Sequence, residues 1–347
     1  MAAVQEVSEA PGPDTSGTGQ RWIPASPGIR LAGRRLLAAI PVLWGVTFLT
    51  FVVMNMLPGD TAQILLGANA TPAEVHQLEM QLHLNEPFWV RYWQWFSGLF
   101  HGNLGTSLGS NGESVTTILG QRLPVTIELL LYAFVASIVL AVGVAVLAAR
   151  RPNGIADRFS MAVSMIGLSV APFVLALVLI YIFAVKLRMF PAIGYVSLTE
   201  SPVANIKSLT LPAASIGFPL FSVYTRLLRA DIVEQMQRED YIVTARAKGV
   251  APWRILIRHA LRNSLFGLIT LVGLNFGVLI GAVAIIEPIF SLPGVGDSLI
   301  TSINNHDLPV VEGIVVIFAV VTVLANLLAD LLYMALDPRI RYERTAA

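Results

Sequence analysis

The sequence predicts an all-α integral membrane protein: six transmembrane helices, an external subdomain between the first and second, and a cytoplasmic loop of short helices between the fourth and fifth. Three observations carry this expectation. Of 347 residues, 55% are hydrophobic and only 13% charged, against about 25% charged in soluble domains. Charge-free apolar runs recur at lengths that suit about 30 Å of hydrocarbon, which a helix of roughly 20 residues crosses. Lysine and arginine, finally, cluster in alternate loops.

Residues 1–30 are rich in Gly, Pro, Ser and Thr with few large apolar residues, the composition of a disordered tail. Arg34 and Arg35 then precede Leu36–Leu57, an apolar run longer than the 7–15 residues of a signal peptide. It reads as a retained first span. Further candidates are Val125–Ala149, Phe159–Val185, Leu209–Leu228, Leu265–Ile286 and Val310–Leu336. The fourth is the weakest, because Pro212 and Pro219 interrupt it; neighbouring helices must cover the backbone groups that proline frees.

Orientation follows from the basic residues. The segments before the first span, at 150–158, at 226–262 and after the last span hold 18 of the 23 Lys and Arg. That asymmetry predicts both termini in the cytoplasm and residues 58–124 outside. Within the external segment, Thr71–His83 has helix signals: Thr71 as N-cap, Pro72 at the first position, Glu74 in the first turn. The aromatic run "PFWVRYWQWFSGLF" at 87–100 suits the membrane–water interface or contact with a binding protein.

Several chemistries are disfavoured. The chain has no cysteine, which removes disulfides and thiol catalysis. It has no phosphate-binding G-x-x-x-x-G-K-[ST] motif and no H-E-x-x-H, and its five histidines are scattered. A net charge of +1 gives no reason to expect nucleic acid. "GTSLG" at 105–109 matches the nucleophile-elbow pattern and nominates Ser107 for a membrane-anchored serine hydrolase, although the strand–turn–helix context it needs is not evident. Glu128, Lys186, Glu287 and Asp330 fall near predicted span ends, where interfacial or snorkelling positions are expected. A stand-alone ion-coupled carrier would call for an acid near the midplane. Gly273, Gly277 and Gly281, four apart on one helix face, favour close helix packing within the chain or against a second membrane subunit; Asn275 beside them could line a polar path.

The most charged stretch, "EDYIVTARAKGVAPWRILIRHALRNS" at 239–264, lies between the fourth and fifth spans. Asp240–Lys248 reads as a short helix with its acid first and its bases last. Gly249 stops it, and Pro252 opens a second helix through Trp253 and Arg254. Small Ala245 and Ala247 keep this knob slim enough for a groove on another protein. A basic loop resting on anionic headgroups would explain the charges alone.

This stretch resembles the coupling loop, or EAA motif, of ABC-importer permease subunits, in the variant of the peptide/nickel transport family. Ala245, Gly249 and Leu261 fit the general motif, whereas Val243, Thr244, His259 and Arg262 depart from it toward that variant. "FVVMNMLPGD" (51–60), "HGNLGTS" (101–107), "RLPVTIEL" (122–129), "EPIFSLPGVG" (287–296) and "DLLYMALDPRIR" (330–341) resemble the same family in order and spacing. The likeness runs from about 31 to 343, which would be one permease transmembrane domain with 58–124 as extracytoplasmic insert and 238–263 as coupling loop. It makes "GTSLG" a family loop rather than a nucleophile elbow.

The resemblance implies a non-catalytic subunit in a bacterial inner membrane, importing di- or oligopeptides by alternating access. Its implied partners are a second homologous permease, two cytosolic ATP-binding subunits that hold ATP and Mg, an extracytoplasmic solute-binding protein and membrane lipid; the chain itself would bind no cofactor. Asp240, Tyr241, Thr244, Ala245, Ala247, Lys248, Gly249 and Arg254 would carry ATPase coupling. Gly273, Asn275, Gly277 and Gly281 would serve packing or the path.

Overall fold

The computed structural model describes residues 27–57, 61–67, 70–81, 84–109 and 112–336. Most of the tail expected over 1–30, together with Asp60, His83 and the end of the 330–341 motif, lies outside them. Helix α1 (Pro27–Met56) begins within that tail window and carries the first span. The insert follows as α2 (Thr61–Leu66), α3 (Pro72–Gln81) and α4 (Phe88–Phe100). Next come α5 (Val115–Arg150), α6 (Ile155–Ser169), α7 (Pro172–Leu179) with a π-helical extension over Ile180–Lys186, and α8 (Pro202–Arg238). Two short helices, α9 (Asp240–Ala247) and α10 (Pro252–Ile255), lead through π-helical Leu256–Leu261 into α11 (Arg262–Leu274). The remainder is α12 (Phe276–Phe290), α13 (Val295–Asn304) and α14 (Leu308–Leu336).

Among the described residues five helices are long and apolar enough to cross a membrane, or up to seven spans if two bent pairs each count as one. The segment expected at Phe159–Val185 is not one straight span. Its halves α6 and α7 meet at 109°, because Pro172 disfavours helical backbone at Ala171 and instead starts a new helix. The segment expected at Leu265–Ile286 is interrupted at Asn275. Beyond it, α12 and α13 form a second bend of 79°.

The fourth segment, expected to be the weakest span, is among the least apolar of the candidate spans and also the most enclosed. Helix α8 runs unbroken for 37 residues through Pro212 and Pro219. Its main partner is α5, on which Ala133, Ser137, Ala141, Ala145 and Ala149 recur every fourth residue and are all buried. Small side chains on one face let two backbones approach in lipid. Gly217 completes the contact: a Cβ there would lie 2.9 Å from the Ala133 carbonyl oxygen. The prolines are tolerated because α5 covers this stretch; Ser215 Oγ and Ser222 Oγ also bond back to the Leu211 and Phe218 carbonyls (2.8 and 2.9 Å). Leu129, Leu209, Ile216, Tyr224 and Leu228 fill the surrounding core.

Two polar devices hold the ends of this core. At one, Arg229 of α8 donates through Nε and a terminal nitrogen to the Asp157 carboxylate (2.8 and 2.6 Å), which also accepts from the Asn153 N–H (2.7 Å). At the other, Glu287 is fully buried rather than interfacial, a correction to the expectation from its position near a span end. Its carboxyl group accepts from the Thr126 hydroxyl (2.6 Å) and from the Gly296 and Asp297 N–H groups (2.7 and 3.2 Å), capping α13 from outside that helix. Thr126 Oγ1 in turn accepts the Val295 N–H at 2.8 Å. Gly294 packs onto the carboxyl so closely that any Cβ would collide with it. The other span-end groups are less enclosed: Glu128 accepts from Tyr195 (2.7 Å), Asp330 pairs with Arg35 (2.9 Å), and exposed Lys186 lies over the Tyr181 ring.

Two outcomes follow. Gly217→Val should lower the stability of the purified protein by about 1–3 kcal/mol through overpacking, read as the thermal melting midpoint in detergent; an unchanged midpoint would mean that α5 and α8 are not in backbone contact. Glu287→Leu should cost about 1–3 kcal/mol for each buried N–H or hydroxyl left unpaired, whereas Glu287→Gln, which keeps an acceptor, should lose clearly less in the same assay.

Candidate functional site

The loop between α8 and α11 forms a knob whose root and tip differ in chemistry. Helix α8 ends at Glu239, where the backbone turns extended (φ −86°, ψ 128°), and Asp240 starts α9. Ile242, Ile255, Leu256 and Ala260 are buried and root the knob in the body of the protein. Polar bonds hold it against rotation. The Tyr241 hydroxyl donates to Gln235 of α8 and accepts from Asn263 of α11 (2.9 Å), and Arg246 donates to the Met236 carbonyl (2.7 Å). Burial pushes the Tyr241 phenol above its ordinary value, so at neutral pH it remains a donor.

The chain reverses at Gly249, whose φ of 74° is left-handed backbone that a side chain would strain. The N–H groups of Gly249 and Val250 close the end of α9 onto the Arg246 and Ala245 carbonyls (2.9 and 3.1 Å). Pro252 then opens α10, as expected. Asp240, Thr244, Ala247, Lys248, Gly249 and Arg254 are exposed, while Tyr241 and Ala245 are partly covered. All eight residues nominated for coupling therefore stand on one protrusion. With a narrow, largely cationic tip and an apolar root, it can dock on another protein; it assembles no nucleophile, base or metal-ligand set.

The glycine face is divided. A side chain at Gly273 would collide with Ala329, and one at Gly277 would lie 3.4 Å from Thr322, so both pack on α14 within the chain. Gly281 meets nothing within 4 Å and lies between exposed Val278 and Ile285 on the open side of α12. Asn275 bonds back to the Leu271 carbonyl (2.9 Å) where α11 gives way to α12.

On the opposite side, the "GTSLG" loop is structural. Ser107 is 2% exposed and donates to Asp307, whose carboxylate also accepts from the Leu108 and Gly109 N–H groups (3.1 and 3.2 Å). Thr106 makes an isolated antiparallel bridge with Ser114 instead of ending a strand. A buried hydroxyl bound to a carboxylate, with its loop pinned at three points, is a fastener for the insert. The Thr71 cap is present, with its N–H and hydroxyl both 2.8 Å from Glu74, which hold that carboxyl below its ordinary value. In α4, Tyr92 is buried against Phe48 and Phe51 of α1, while Trp89, Trp93 and Phe100 face outward.

Sequence reasoning did not identify Asp157, Arg229, Thr126 or Asp307 as structural partners. Each pairing joins residues far apart in the chain, so no local spacing signals it.

Residues 141–342, more than half of the chain, match the family of binding-protein-dependent transport system inner membrane components, and residues 29–130 match the N-terminal membrane component of the same systems. A Brucella abortus protein named as a candidate peptide transport system permease is 39% identical over 310 residues, covering 89% of this chain and 98% of the relative. The dipeptide transport system permease protein of Alkalihalophilus pseudofirmus is 37% identical, covering 90% and 99%. The oligopeptide transport system permease protein of Bacillus subtilis is 36% identical, covering 89% and 98%. With both family matches in register and relatives aligned almost end to end, the chain belongs to the family of binding-protein-dependent transport system inner membrane components.

Proposed function

We propose that this chain is the permease subunit of an ATP-driven importer of di- or oligopeptides, and that the α9–α10 knob couples it to ATP hydrolysis. The observation that carries the coupling reading is the knob itself: a rooted, hydrogen-bonded protrusion with a small-residue, cationic tip left open. The relatives' names support peptide as the substrate class. In this reading two cytosolic subunits hold ATP and Mg, and this chain holds neither, consistent with its lack of a phosphate-binding loop. A second, homologous permease completes the path, and an extracytoplasmic solute-binding protein delivers the substrate. The open side of α12 around Gly281 suits close approach of that second permease, since a glycine between exposed apolar residues admits another backbone.

The assembly would work by alternating access. Closure of the ATPase pair moves the knob, and because α9 is tied to both α8 and α11, the motion reaches two spans at once. Such a cycle requires only an interface with two arrangements and different contacts in each. We assign six crossings, counting α6 with α7 and α11 with α12 as one each, which would put both termini and the knob on one side; the Lys and Arg bias supports the cytoplasm as that side. Residues 31–343 then form one transmembrane domain, with 58–124 as external insert and 238–263 as coupling loop.

The topology is open to a direct test because the chain lacks native cysteine. Cysteine introduced at Gln94 should react with an impermeant thiol reagent in intact cells, and cysteine at Arg238 only after permeabilisation. The reverse pattern would refute the orientation.

The coupling reading makes a sharper demand. Ala245→Trp should overfill a protein groove at about 1–3 kcal/mol, lowering ATPase retention in the purified assembly by roughly 5- to 150-fold. Gly249→Val should strain the turn and act in the same direction. Both variants should still insert, and substrate uptake into reconstituted vesicles should fall with retention. Full uptake by Ala245→Trp would end the coupling assignment.

A further inference from the structure

Between the knob and the end of α5 lies a groove of about 330 Å³ with an amphiphilic lining. Arg150 and Arg151 form its cationic wall, Trp253 closes one side, and Ala149, Met236 and Leu256 supply an apolar floor. The Arg150 guanidinium lies over the Trp253 ring, 5.7 Å from its centre. Cation–π attraction holds that charge at the groove, where its N–H donors can meet an anion. Neither arginine has a carboxylate within ion-pair distance among the described residues. One arginine would suffice to offset the carbonyl end of α5; the second has no such duty.

The position is as telling as the lining. Ala149 and Arg150 are the last residues of α5, so the groove opens where an apolar helix leaves hydrocarbon. Tryptophan favours that depth, and Trp253 is half-exposed there. The volume sits at the lower end of the range for small-ligand sites, room for a headgroup but not for acyl chains. An apolar floor beneath paired cations suits a ligand that is anionic at one end and greasy at the other.

We propose that this groove holds the phosphate of an anionic phospholipid from the adjoining leaflet, making the root of the knob a lipid site while its tip remains the protein contact. The inference rests on the membrane placement given above but not on the ATPase assignment. It divides the basic residues of this face into two groups. Arg150 and Arg151 belong to the headgroup; Arg246 and Lys248, beyond the groove, do not. A free phosphate ion shares the chemistry of the headgroup but gains nothing from the apolar floor, which is what separates the two sources.

The test uses the full chain purified in mild detergent. Retention of phosphatidylglycerol and of phosphatidylcholine is measured by native mass spectrometry, with inorganic phosphate as competitor in a separate arm. Preferential retention of phosphatidylglycerol, undisturbed by inorganic phosphate, is expected. At about 1 kcal/mol for each basic residue at a membrane surface, Arg150→Gln with Arg151→Gln should weaken that retention by about thirty-fold. The Arg150→Lys/Arg151→Lys pair should recover most of it, and confirms that any loss is of charge and not of folding. Arg258→Gln with Arg262→Gln removes equal charge from the neighbouring segment leading from α10 into α11 and should leave retention within about twofold, since neither residue lines the groove.

Equal retention of both lipids would overturn the proposal, as would equal losses in the two glutamine pairs, which would mean diffuse surface charge. Displacement by inorganic phosphate would overturn it in favour of a free-ion site. If the Arg150/Arg151 glutamine pair sheds the ATPase subunits from the assembly yet keeps its lipid, the groove is a protein contact. Each of these outcomes differs from a failure of the permease reading, which would appear as transport that needs no partner.

Discussion

The approach of α5 to α8 is the constraint from which the rest of the protein hangs. Lipid offers a helix the same apolar surroundings as another helix does, so the two associate through closeness of packing and polar bonds rather than through escape from water. The alanine and serine stripe from Ala133 to Ala149, facing Gly217 and its neighbours, provides that closeness. Helices α6, α7, α11 and α12 all rest on α8 in turn. Proline in the middle of α8 is acceptable only because its surroundings are so complete.

The knob and the start of α13 lie at the two ends of this pair. At one end, α8 continues into the knob with a single extended residue between them, and the Arg229–Asp157 pair ties the same end to α6. A buried, bidentate ion pair adds less to stability than to register, since loss of either partner strands a charge. At the other end, Thr126 of α5 and Glu287 of α12 hold the start of α13. The knob is thus continuous with elements fixed to one another by bonds of defined geometry.

What could be read from the chain beforehand was whatever depends on near neighbours. The Asp240 start, the Gly249 stop and the Pro252 restart are each decided within four residues by charge, positive φ and a missing N–H, and each appears where expected. The Thr71–Glu74 cap is another such case. The failures share an opposite cause. Glu287 looked interfacial because its place in the sequence is near a span end, while the threonine that receives it is 161 residues away. The cover that α8 receives from α5 likewise cannot be read from the residues of α8 alone. The break at Ala171 needed only Pro172 to be read as a helix start, but an apolar run reads the same whether straight or bent.

The long separation of the outer fasteners has a consequence for how the protein is made. Ser107 waits 200 residues for Asp307, and Thr126 waits for Glu287. At synthesis rates of about 5–20 residues per second, the first of these intervals is roughly 10–40 s, during which α5 and α8 can already pair. The attachment of the insert is therefore the last part to set. Through that interval the insert lacks its Asp307 anchor, and the arrival of α13 and α14 converts it from a tethered segment into part of the body.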